Sequence, residues 1–539
     1  MNTRMGNRCT GDIIEKVLAC LFLCGCGLPP VAGLSDETVM PKWYAGGVMF
    51  LVLTVFTISV RGHGSMRRSL GTGAAVACVM EYACVATEIV RHGGIPEMGV
   101  RGTFDNPSGL ALFICTLAPL SVWRMNGFGR FRINRENRGT FVTGISFVAC
   151  ASAVLLLSKS RTGLVCAGCF LLLSLWRTLR MSRIWKITIM CSIVFAIAGF
   201  CLCRKTDSTS GRAFILKTTW GLIKEKPVCG HGRGGFHREY MDRQGRYFAA
   251  HPESGYAVLA DDIRHPLNEF ALSWCEYGIA GVGILCALFV LPLVAYRKSR
   301  DKSMRTWLPS LAAVFIFSCF SYPFHYPLSW FVMLSCTVQA AGTFRLMRPG
   351  GRFLHHRLVS AGILTVCIAL LLLVLSEFRY EREWGRLATR AAGGHPGSTL
   401  ERYEALYPHY SSSPYFLYNY SAVSYSAGRF DKALQLAEEC GRLWSGYNLE
   451  LLLGDINRRM GMYGEAVVHY RRAYDMCPSR FAPLAGIMYT QTECRRTDEA
   501  VHTARIIRDK EVKIDSTIVR QIKKEAETLL ENNNFSTNI

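Results

Sequence analysis

Apolar runs about as long as a membrane-spanning helix alternate with short polar connectors over the first two thirds of the chain. They lie near 14–33, 43–60, 69–90, 108–123, 140–157, 162–176, 184–203, 270–296, 307–322, 327–344 and 358–377, with 162–176 and 307–322 shorter than the rest. This pattern predicts a polytopic membrane domain over 1–377 with about 11 transmembrane helices and a long polar loop at 204–269. Past residue 378 the charges mix in sign and a repeat appears. That change predicts a linker at 378–413, a soluble helical domain at 414–531 and a disordered tail at 532–539. The expected fold class is all-α.

The soluble third carries a repeat. Gly428 and Ala433 recur as Gly461 and Ala466, with Ala500 at the next step. The run Leu453-Gly454, Gly461, Ala466, Tyr470, Ala473 and Pro478 follows the tetratricopeptide pattern. Small residues at these places let paired helices approach closely. Three repeats are expected, at 414–446, 447–480 and 481–514, followed by a capping helix near 516–531. An α-solenoid of this kind braces a neighbour or binds a protein partner; it does no chemistry itself.

Charge then orients the spans. Lys and Arg crowd alternate short connectors, among them Arg61, Arg67 and Arg68; Arg130, Arg132 and Arg135; and Arg297, Lys298 and Arg300. The opposite short loops hold Lys42, Arg91, Arg101, Lys159 and Arg161. By the positive-inside rule the N-terminus is cytoplasmic and the repeats lie outside. The net charge of +22 then reflects topology and contact with anionic lipids, not nucleic-acid binding. The first apolar stretch reads as a signal-anchor, since further spans follow it. Of the 22 cysteines most fall inside spans, and Cys-x-Cys in an apolar run lacks a second ligand pair for a metal. Cys229, Cys440, Cys477 and Cys494 lie in the soluble parts, where disulfides are permitted.

With this orientation, the polar motifs Arg101–Asn106, Ser158–Arg161, Gly211–Asn268 and Ser321–Tyr326 fall on one side. The glycine run Gly230-His231-Gly232-Arg233-Gly234-Gly235 looks like a phosphate cradle, yet it lacks the Lys-Ser/Thr of a P-loop and any βαβ setting. In order along the chain come Gly102–Pro107, Ser158–Gly163, Gly211-Arg212 with Trp220 and Pro227, the glycine run, His265 with Asn268-Glu269, and Glu276-Tyr277-Gly278. Over about residues 100–345 this series resembles the O-antigen ligase/polymerase family of bacterial membrane glycosyltransferases. There are two departures from the family pattern. Pro266-Leu267 separates His265 from Asn268, and the repeat tail is absent from simpler members.

The resemblance implies a GT-C-like fold in the bacterial inner membrane, with the repeats in the periplasm. It also implies a metal-independent, inverting transfer without a cofactor, from a polyprenyl-diphosphate-linked glycan. The acceptor is a lipid A-core sugar or, in related reactions, a growing glycan or a protein hydroxyl. Such chemistry needs cations on the diphosphate and a base for the hydroxyl. Arg161, Arg212 and Arg264 are the expected diphosphate ligands and His265 the expected base. Secondary candidates are His325, Ser160, His231, Arg233 and Glu269, the last as an orienting group for His265. Each has a plainer reading: turn arginines anchor to headgroups, and interfacial histidines and tyrosines serve as hydrogen-bonded anchors. Glu81, inside a span, reads as a helix-packing hydrogen bond, and Asp261-Asp262 as a solvated pair. Two other classes compete. A transporter would show paired halves, which the spans lack. A scaffold would leave the Arg161, Arg212 and His265 set without a purpose.

Overall fold

The computed structural model describes residues 2–59, 66–126, 138–178, 182, 188, 206–300, 302–344 and 353–537. Among these it holds α-helices and short 3-10 turns, with no strand. The expected span 184–203 lies outside the described residues apart from residue 188, as do the last two residues of the tail.

The chain forms two units. One takes in 1–204, 267–270 and 283–385; the other takes in 205–266, 271–282 and 386–539. The sequence pattern grouped the loop 204–269 with the membrane segments. Instead, residues 205–266 fold with the C-terminal third. The reason is packing: Gly245 of helix Gly235–Ala250 lies against Met476, and the buried Gln244 donates from Nε2 to the Met476 carbonyl at 2.8 Å.

Among the described residues three helices are long and apolar enough to cross a bilayer: Ser69–Arg91, Glu269–Ser299 and Ala361–Ala392. Met40–Phe56, Pro107–Ser121, Gly144–Leu157, Arg161–Leu172 and Met304–Phe320 are shorter apolar helices. Their core is built from Phe22, Leu110, Phe113, Ile114, Val314, Phe317 and Val332. Phe22 meets Phe331 edge-on at 4.6 Å. Apolar side chains also point outward, as at Ile284 and Leu372, more than half exposed. A helix apolar all round is suited to lipid, where outward Leu and Ile cost nothing.

In the second unit the C-terminal helices form successive antiparallel pairs: Pro414–Ser426 with Phe430–Gly441, Tyr447–Arg459 with Tyr463–Met476, and Ala482–Glu493 with Thr497–Asp509. Ala433, Ala437, Ala466, Ala473, Ala500 and Ala504 are fully buried where the pairs touch. Gly454 and Gly486 both face the Tyr470 ring, and a Cβ at Gly454 would stand 2.6 Å from it. Tyr470 donates its hydroxyl proton to Asp455 at 2.6 Å. Burying Leu453, Ile456 and Ile507 contributes about 1.5–3 kcal/mol each. The stretch 378–413, expected as a linker, is largely helical: Phe353–Ala392 runs into it and Leu400–Tyr410 follows. The final helix spans Thr517–Thr537, past the boundary at 531 expected from composition.

Candidate functional site

Three of the four polar motifs meet in the first unit. Asn106 caps helix Pro107–Asn126: its Oδ1 accepts from Gly109 N at 2.9 Å, and Pro107 takes the first helical position. The Asn106 Nδ2 group donates to the hydroxyls of Tyr322 at 2.7 Å and Tyr326 at 3.1 Å. Tyr326 in turn donates to Asp105. Ser108 and Ser321 hydroxyls lie 3.2 Å apart. The turn at 158–161 is tied to the same loop, since Val100 N donates to Leu157 O at 3.2 Å and Lys159 Nζ to Glu97 O at 3.0 Å. Ser160 accepts from Gly163 N at 3.2 Å, which caps the helix that Arg161 begins. Ser160 thus has a capping role, while Arg161 stands half-buried at the first turn.

Beneath this loop lies a buried polar core. Lys42 is fully buried and donates from Nζ to the carbonyls of Leu28, Thr38 and Thr103 at 2.9, 2.7 and 2.7 Å. Glu81, also fully buried, accepts from the Thr103 hydroxyl at 2.7 Å. Glu88 accepts from the backbone N–H of Gly102 at 2.8 Å. His325 is exposed beside the Tyr322 and Tyr326 rings, and Glu269 accepts from Phe324 N at 3.3 Å within the same turn. Sequence reasoning took Lys42 as a loop cation and Tyr326 as an interface anchor. Only the contacts reveal their roles. One signal was available: Glu81, a carboxylate inside an apolar span, needs a polar partner.

The second unit organises its glycine run differently. His231 N donates to Cys275 O at 2.8 Å, Gly232 N to Glu276 O at 2.9 Å and Ile279 N to Pro227 O at 3.1 Å. Gly234 N adds a bond to Glu276 Oε1 at 3.0 Å. The helix Glu269–Ser299 is interrupted at Gly278, where φ is 64° and ψ −157°, a conformation open to glycine alone. A Cβ there would overlap the Val228 carbonyl, and one at Gly230 would overlap the Glu276 backbone. The run is therefore a docked strap. His231 is buried and its Nε2–H donates to Leu222 O at 2.9 Å, which gives it a holding role. Arg233 is exposed and Arg212 half-buried.

Residues 261–265 continue the same unit. Arg264 is exposed and His265 half-buried. Asp262 Oδ2 lies 3.9 Å from Arg264 Nη2, and burial raises its carboxyl above the usual aspartate range while Arg264 opposes the rise. Burial and the Arg264 charge together lower the His237 imidazole. A cavity of about 300 Å³ sits between helix Gly235–Ala250 and helix Tyr463–Met476, lined by Asp242, Arg246, Arg472 and Asp475. Among the described residues no three His, Cys, Asp or Glu side chains gather as a metal-ligand set.

Comparison with protein families supplies the decisive observation. Residues 146–286 match the family model described as O-antigen ligase. Over this stretch the chain is similar to the O-antigen ligase family. No curated protein matches the chain. The ligase match takes in Arg161, Arg212, His231, Arg233, Arg264, His265, Glu269 and the Gly278 break; Lys42, Asp105 and His325 fall outside it. At family level it supports a glycosyltransferase of the ligase/polymerase type, and the apolar helices fit a membrane protein.

Proposed function

We propose that this O-antigen ligase-family chain moves a glycan from a polyprenyl diphosphate to a hydroxyl acceptor, a lipid A-core sugar, at the periplasmic face of the inner membrane. The observation that carries the reading is the ligase match over 146–286, which spans Arg161, Arg212 and His265. In this reading the fold is polytopic and GT-C-like, with about 11 spans and a periplasmic tetratricopeptide solenoid at 414–531 that is free to receive a protein partner.

The chemistry follows from the residue types. The acceptor oxygen forms a bond to the anomeric carbon while the bond from that carbon to the diphosphate oxygen breaks. The electron pair leaves on the diphosphate. Arg161 and Arg212 stabilise that charge, since guanidinium forks pair phosphate oxygens in two places. His265 takes the acceptor proton, being the side chain whose titration range suits that task. Attack opposite the leaving group inverts the anomeric centre, and no metal or cofactor is needed. Arg264 is assigned to the acceptor side. Its guanidinium already lies over the Tyr415 and Trp444 rings, and the Asp262 carboxylate beside it disfavours an anion.

The test is replacement of Arg161 or His265 by Ala in a host whose lipopolysaccharide is read on gels. Each variant is expected to lose at least about a hundredfold in glycan attachment at normal protein level. Normal attachment in both variants would instead favour a transporter or scaffold. Deletion separates the acceptors that share this chemistry. Free lipid-linked polymer marks a ligase, single-unit capping a polymerase, and unglycosylated protein with intact lipopolysaccharide an oligosaccharyltransferase acting on protein.

A further inference from the structure

An aromatic shelf in the second unit has no part in the bond-making steps above. Tyr415, near the start of helix Pro414–Ser426, leaves 43% of its surface exposed. Its ring lies 6.0 Å from that of Trp444, which is buried and is met edge-on by Tyr418 at 5.6 Å. The Arg264 guanidinium sits 5.6 Å from the Tyr415 centroid and 5.9 Å from that of Trp444. Its side chain is 53% exposed, so its N–H edges remain open to a ligand. Below it, Asp262 Oδ1 is buried without a hydrogen-bond partner.

These groups fit one kind of ligand. A pyranose ring offers an apolar C–H face and a rim of hydroxyls that both donate and accept. The exposed Tyr415 face suits the first, and ring stacking is a sizeable attraction. The Arg264 edge can donate to a hydroxyl, and the Asp262 carboxylate, 3.9 Å from the guanidinium, holds that edge in place. An anionic ligand would meet the Asp262 carboxylate. We propose that Tyr415 and Arg264 bind a pyranose ring of the acceptor glycan, with Asp262 positioning the guanidinium. The choice of acceptor over donor glycan rests on the transferase reading above: Arg264 directly precedes His265, the residue assigned to the acceptor proton. The first helix pair of the soluble unit then selects the acceptor, a role beyond bracing or partner recruitment.

The experiment uses the full chain in nanodiscs and the core oligosaccharide released from lipopolysaccharide, with binding read by saturation-transfer NMR and calorimetry. The wild type is expected to bind the oligosaccharide. Tyr415→Ala should weaken binding about fivefold to tenfold, Tyr415→Phe should stay within about twofold because the ring face is kept, and Asp262→Asn should lose about threefold. In the ligation assay Tyr415→Ala should raise KM for the acceptor by a similar factor with kcat nearly unchanged. An unaltered melting temperature for Tyr415→Ala, expected from its exposure, shows that folding is intact. No binding by the wild type, equal binding by Tyr415→Ala, or loss confined to the lipid-linked donor glycan would each overturn the shelf. Normal attachment in both Arg161→Ala and His265→Ala would overturn the transferase reading alone, because oligosaccharide binding is measured without turnover.

Discussion

The two polar assemblies of this chain are held by opposite means. In the first unit, the loop 100–106 and the turn 321–326 are joined by side chains: Asp105, Asn106, Tyr322 and Tyr326 above, Lys42 and Glu81 below. In the second unit, the glycine run is joined to the helix break at Gly278 mainly by backbone N–H and C=O groups. The difference follows from surroundings. Where helices pack among apolar neighbours, an irregular loop must bring its own partners, and buried polar side chains provide them. In the second unit the strap lies against a broken helix whose freed backbone groups serve instead. The first design depends on side-chain chemistry, the second on the absence of Cβ atoms. The two regions should therefore fail under different substitutions.

The largest effect is expected at Gly278. Replacing it with Ala forces a side chain into a conformation reserved for glycine and against the Val228 carbonyl. A loss of about 4 kcal/mol is expected, read as a large drop in the melting temperature of the purified chain. A Gly278→Ala protein that melts like the wild type would remove the claim that backbone contact holds the strap. Next comes Lys42. Lys42→Met keeps most of the volume but leaves the carbonyls of Leu28, Thr38 and Thr103 without their donor. Each unmet carbonyl costs about 1 kcal/mol or more, so a loss of about 3 kcal/mol is expected. Glu81→Gln, which can still accept from the Thr103 hydroxyl, should cost distinctly less. If the order of these two were reversed, the carboxylate and not the lysine would be the anchor.

The sequence disclosed the two regions unequally. The all-helical character was legible among the described residues, because apolar patterning reflects local burial: Ala433, Ala466 and Ala500 stand where helix pairs touch. The pairing of Asn106-Pro107 was legible as a motif, and capping explains it. The partners across the loop cluster were not, since Asp105 and Tyr326 lie far apart in the chain and nothing local marks their contact. The glycine run looks like an incomplete phosphate cradle in the sequence. Its role became visible only with the Gly278 break, because a backbone-to-backbone match leaves no trace in residue type beyond the glycines themselves. The Tyr415 shelf was missed for a related reason. Arg264 was considered for its charge, while the rings that hold it come from a distant part of the chain.

The smallest effect is expected where the side-chain design is redundant. Tyr326 is buried, donates to Asp105 and accepts from Asn106 at 3.1 Å. Tyr326→Phe removes both contacts and keeps the ring, including its edge-on packing with Phe104 at 5.4 Å. Asn106 still reaches Tyr322 at 2.7 Å and Asp105 at 2.9 Å. Asp105 is half-buried, so water can replace part of what it loses. A cost of about 1 kcal/mol follows, against the roughly threefold larger cost at Lys42, which has no such substitute. The double variant Tyr322→Phe with Tyr326→Phe is the sharper probe. If the two hydroxyls back each other up, the pair should cost more than the sum of the single changes when thermal unfolding is compared across all four proteins. Simple additivity would mean that each tyrosine acts alone, and the first unit's loops would then be held chiefly from below, by Lys42 and Glu81.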